Sequence, residues 1–154
     1  MIFNFFKRKQ KLHLRDVLQI AILIEQQGVQ FYGQLAQMSS DIKVKELCVK
    51  LACDEASHKK LFEDMLSRWP SLPVDQQYLN SYIQELKNNG LFSDMPFINT
   101  SVENLLKYAI VYEDQTVDFY QSLERKFPEL WKQAHIHQIV MVERGHSRSL
   151  KSLI

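Results

Sequence analysis

The sequence predicts an all-α protein, a four-helix bundle made of two helical hairpins joined by a long crossover connection. Three observations carry that reading. Gly and Pro are scarce, four of each in 154 residues, so helices can run uninterrupted. Apolar residues recur at spacings of three and four along four long segments, and no segment of useful length alternates as a strand does. The third is an internal repeat: "AILIEQQGVQFYGQL" (21–35) aligns with "AIVYEDQTVDFYQSL" (109–123) at an offset of 88 residues.

The first helix reads from about residue 14 to 38. "SSD" at 39–41 then offers N-cap side chains to a second, from about 41 to 68. "WPSLP" (69–73) ends that helix, because proline lacks the N–H and clashes with the preceding turn. A shorter helical stretch, "VDQQYLNSYIQELKNNG", finishes at Gly90 as a C-cap glycine would. Its apolar stripe (Tyr78, Tyr82, Ile83, Leu86) is expected either to cover the bundle or to meet a second subunit. Thr100 with Glu103 forms a T-x-x-E capping box for the third long helix, which continues to about residue 126. Pro128 marks the start of a fourth, running to the end of the sequence. The expected layout is an N-terminal tail (1–13) and one bundle (14–154), with repeat halves 14–68 and 101–154 and a connector 69–100.

The bulk numbers narrow the function classes. A formal charge of +1 gives no overall balance suited to nucleic acid, although Lys7, Arg8, Lys9, Lys11 and Arg15 cluster early. No stretch approaches the roughly 20 apolar residues of a membrane span. "MIFNFFKRKQKLH" does not read as a secretory signal: its apolar part is short and the charges follow it. Cys48 and Cys53 fit neither a disulfide framework nor a metal knuckle. Two reduced, mostly buried thiols and a cytoplasmic location are expected.

The repeat equates more than apolar residues. The same offset carries Glu25 onto Glu113, Glu55 onto Glu143 and His58 onto His146. Each of the four glutamates lies on the apolar stripe of its helix: Leu18, Ala21, Glu25 and Tyr32 on the first; Leu51, Glu55, His58 and Phe62 on the second. The third and fourth helices repeat this with Leu106, Ala109, Glu113 and Tyr120, and with Ile139, Glu143, His146 and Leu150. No Lys or Arg lies on these stripes. An unpartnered buried carboxylate costs several kcal/mol, so something else must balance four of them.

Their depths agree. Glu25 and Glu55 are equidistant from Ser40, and Glu113 and Glu143 from Pro128; each lies about 15 residues, or roughly 22 Å, from its hairpin turn. Packed about a pseudo-two-fold axis, the hairpins bring four carboxylates and two imidazoles into one layer. A Glu from each of two helices and Glu-x-x-His from each of the other two is the donor set of a dinuclear metal centre. Two divalent cations neutralise four carboxylates, and oxygen donors with one imidazole per metal suit iron or manganese.

At these residues the sequence resembles the ferritin-like superfamily, and most closely its rubrerythrin branch. "IEQQGVQFYGQLA" followed by "LACDEASHKKLFEDML" is similar to that family's first hairpin in wording and spacing. The resemblance implies that Glu25 and His58 serve one iron, Glu113 and His146 the other, and that Glu55 and Glu143 bridge them. It also implies that Tyr32 and Tyr120 hydrogen-bond near the site. Two Fe ions are the expected cofactor, with Mn or a mixed-metal pair as the variant. The implied activity is of oxidoreductase type: Fe(II) oxidation, or reduction of O2 or H2O2.

The sequence departs from the rubrerythrin pattern in two respects. Thr116 stands where rubrerythrins carry an additional Glu, and it is matched by Gly28 in the first half. No rubredoxin-like domain is present in these residues, so electrons are expected from an external donor such as a rubredoxin-type protein. A homodimer is the expected assembly. The alternatives are a diiron monooxygenase resembling the ubiquinone-biosynthesis hydroxylases, and an iron-binding or storage protein without turnover.

Overall fold

The computed structural model describes residues 12–68, 75–88, 90–91 and 97–154. "WPSLP" and most of the N-terminal tail lie outside them. Among the described residues there is no strand, and five helices of more than ten residues follow in order. These are α1 (Leu14–Met38), α2 (Ile42–Ser67), α3 (Gln76–Asn88), α4 (Val102–Leu123) and α5 (His137–Lys151).

Most helix boundaries follow from local side-chain chemistry. At the start of α1, Asp16 accepts the His13 backbone N–H at 2.9 Å. Asp41 caps α2, its carboxylate accepting the N–H groups of Lys43 (2.8 Å) and Val44 (3.2 Å). Asp75 does the same for α3, accepting from Tyr78 N–H at 2.9 Å. The chain leaves α3 through Gly90 at φ 99°, and the Leu91 N–H closes back on the Leu86 carbonyl at 3.0 Å. Only glycine adopts that left-handed backbone without a steric penalty.

The cap of α4 differs from the expected capping box by one residue. Ser101, not Thr100, has the extended backbone of an N-cap, and its hydroxyl accepts the Asn104 N–H at 3.2 Å. Thr100 instead donates to the Ile98 carbonyl, and Glu103 pairs with Lys107 one turn on. Two adjacent hydroxyl residues compete for one cap, and the backbone direction chooses the second.

The two hairpin turns are also built differently. Between α1 and α2 lie residues 39–41 alone. Between α4 and α5 the chain forms a 3₁₀ turn (Glu124–Lys126), then one α-turn (Glu129–Trp131) and a π-helical segment (Lys132–Ile136).

The interior divides into two apolar clusters. One gathers Val17, Ile20, Ile24, Phe62, Val117 and Ile139 with Leu79, Tyr82 and Leu86 of α3. Helix α3 therefore buries its stripe against the bundle. The other cluster gathers Phe31, Leu35, Cys48, Leu51, Leu106 and Leu150. On α1, α2 and α5 the change from one cluster to the other falls at the glutamate, as where Ile24 precedes Glu25 and Phe31 follows, or Leu51 precedes Glu55 and Phe62 follows; on α4 it falls between Ile110 and Tyr112, just before Glu113. Burying a large apolar side chain is worth about 1.5–3 kcal/mol, so these clusters clamp the polar layer between them.

Candidate metal centre

Each glutamate of the repeat is buried to 1% exposure or less: Glu25 and Glu113 from α1 and α4, Glu55 and Glu143 from α2 and α5. His58 and His146, one turn beyond Glu55 and Glu143, bring their rings to a centroid separation of 6.3 Å, near parallel. Nδ1 of His58 stands 2.8 Å from Glu143 and 3.5 Å from Glu25. Nδ1 of His146 stands 3.0 Å from Glu143, 3.1 Å from Glu55 and 3.7 Å from Glu113.

The six residues fall into two overlapping groups, Glu25–Glu55–His58–Glu143 and Glu55–Glu113–Glu143–His146, the donor atoms of each lying within 4.8 Å of one another. Glu55 and Glu143 are common to both. Several of these atoms crowd together without making aligned hydrogen bonds: Glu25 Oε2, Glu55 Oε1, Glu143 Oε1 and His58 Nδ1 have no such partner among the described residues. Buried polar atoms that crowd together without aligned bonds are expensive unless a cation lies between them. The donor set therefore fits a metal ion.

Electrostatics shows the strain of this crowding. Burial raises Glu55 well above the ordinary carboxyl range, and Glu143, Glu25 and Glu113 push it further. Burial and the Glu143 charge raise Glu113 to about 8. Burial would raise Glu143 too, but His146 and His58 beside it hold it at about 2. For His58 burial acts downward, and Glu143 and Glu25 more than reverse it, to about 10. His146 is raised in the same way by Glu113, Glu143 and Glu55.

Tyr32 and Tyr120 reach across the repeat. Tyr32 of α1 donates its hydroxyl hydrogen to Glu113 of α4, and Tyr120 of α4 donates to Glu25 of α1. Burial and the neighbouring carboxylates raise both phenols well above their ordinary value, so they remain protonated donors. Gly28 makes room for the shared carboxylate: a Cβ there would meet Glu55 Oε2 at 2.9 Å and its Cγ at 3.0 Å.

Sequence reasoning missed two contacts. Nε2 of His146 lies 3.1 Å from Asp54, which Lys50 also holds at 2.7 Å. The signal was the acid directly before Glu55, on the flank of the stripe. The buried Tyr112 hydroxyl donates to the Ile24 carbonyl at 2.7 Å, tying α4 to α1 beside Glu25.

Comparison with known proteins gives one positive result. No curated protein and no solved structure matches the chain. No helix among the described residues is long and apolar enough to cross a membrane. The family model described as Rubrerythrin matches residues 16–154. That match spans both halves of the repeat, and the chain belongs to the rubrerythrin family of the ferritin-like superfamily.

Proposed function

We propose that the chain is a non-haem diiron protein of oxidoreductase type, which oxidises Fe(II) or reduces O2 or peroxide. The observation that carries this reading is the sharing of Glu55 and Glu143 between two groups of candidate ligands. Glu25 and His58 would hold one iron, Glu113 and His146 the other, and the shared pair would bridge. With two Fe(II) ions bound, such a centre would supply two electrons, enough with two protons to reduce one H2O2 to two waters.

The chain's own residues prepare the centre for that chemistry. The tyrosines orient Glu113 and Glu25 by holding one oxygen of each, so that the other faces a histidine across the layer. Ile24, Phe62 and Leu51 enclose the layer on both sides and exclude water, which strengthens every charge interaction inside it. The acidity of Glu55 and Glu113 is poised so that these groups hold protons when no cation is present and give them up to one.

The test is anaerobic loading with Fe(II), followed by stopped-flow absorption on mixing with H2O2 or O2. Rapid oxidation, faster with H2O2, is expected for a peroxide-reducing protein with an external electron donor. Tight iron binding with no oxidation by either would replace this reading with a storage role.

A further inference from the structure

The repeat has an imperfection at the metal centre. Glu25, Glu55, His58 and Tyr32 each have an identical counterpart 88 residues on, but Asp54 maps onto Val142. Asp54 is the residue that meets His146 Nε2 at 3.1 Å. His146 is thus held at both ring nitrogens, with Nε2–H donated to Asp54 and Nδ1 facing Glu143 and Glu55. Every contact that His58 makes with a carboxylate among the described residues runs through Nδ1. Its side chain is also the more exposed, at 12% against 3% for His146.

A carboxylate on the remote nitrogen fixes the tautomer that presents a lone pair to the metal, locks the ring plane and makes the imidazole a stronger donor. Lys50 in turn holds the Asp54 carboxylate in place, its Nζ 2.7 Å away. From this asymmetry we infer that the two metal positions are inequivalent. The position served by Glu113 and His146 binds its ion first and more tightly, with Asp54 as the positioning residue responsible. The inference rests on the metal-centre reading above and adds an order of filling to it.

The test is anaerobic titration of the metal-free protein with Co(II), followed by calorimetry and visible absorption. Two binding events are expected, separated by about 10–100-fold in affinity, the usual worth of such a partner. Asp54→Ala should weaken the tighter event by that factor and leave the weaker one, the stoichiometry and the far-UV spectrum unchanged. Asp54→Asn, which keeps an acceptor at the same place, should restore part of the loss. In a His146→Ala background, Asp54→Ala should have no further effect. Val142→Asp, at the equivalent place in the second half, should tighten the weaker event.

Two equal sites in the unaltered protein would overturn the inference while leaving the metal centre standing. Asp54→Ala acting equally on both events would do the same. Failure of the unaltered protein to bind Co(II) at all would overturn the centre itself, and the inference with it.

Discussion

Tyr120 donates its hydroxyl hydrogen to Glu25 from the opposite half of the repeat. Tyr120→Phe removes that donor and strands a buried carboxylate oxygen, at a cost of about 1–3 kcal/mol. For a chain of this length the metal-free protein should melt about 3–10 °C lower by calorimetry. Tyr32→Phe should do the same through Glu113. An unchanged melting temperature for both would show that the tyrosines are only packed aromatics.

Gly28→Ala should damage both metal positions together. Its new methyl carbon would sit 2.9 Å from Glu55 Oε2, and Glu55 belongs to both groups. Helical content should be unchanged or slightly higher, since alanine favours a helix over glycine by about 1 kcal/mol. Equilibrium dialysis with elemental analysis should show weaker retention of both ions. Selective loss of one would mean that Glu55 does not serve the two alike.

Glu55→Ala combined with Glu143→Ala removes both shared carboxylates. Metal content per chain should fall to background, because each remaining position keeps only one glutamate and one histidine. Unchanged stoichiometry would place the metal elsewhere.

Proton exchange gives a prediction about pH. Without metal, Glu113 keeps its proton to about pH 8 and His58 to about 10. Both values lie above those of the unfolded chain. Their contribution to stability is therefore complete below the unfolded values and fades as pH rises through the folded ones. The metal-free protein should melt at progressively lower temperature from pH 5 to pH 9. Metal binding must expel those protons, so affinity should rise over the same range. Calorimetry at pH 7 in two buffers of different ionisation enthalpy should find about two to four protons released per loaded chain. No release would contradict the charge arrangement described here.

The thiols separate cleanly. Cys53 is exposed, contrary to the expectation of two mostly buried thiols, whereas Cys48 is buried and its thiol is raised to about 11. At pH 8 iodoacetamide should modify Cys53 readily and reach Cys48 only after unfolding, as read by mass spectrometry.

The helices and the glutamate layer were legible in the sequence because both are periodic. A glutamate on an apolar stripe breaks its own pattern, and the 88-residue repeat shows that break four times over. What escaped is aperiodic. Asp54 has no echo in the second half, and its partner His146 is 92 residues away, so only the packed bundle brings them together. The α4 cap turned on backbone direction between two neighbouring hydroxyl residues, which composition does not encode. The π segment before α5 has no Gly or Pro to announce it. The role of α3 was open because an apolar stripe fits a bundle or a second chain equally well, and only its burial beside Val17 and Ile20 decides.

Each candidate group mixes the two halves of the chain: three residues from one hairpin, one from the other. Suppose the hairpins part slightly while each stays helical. The first group loses Glu143, the second loses Glu55, and both cages open in the same event. Ion retention is then a gauge of hairpin docking, sensitive to a separation that circular dichroism would not register.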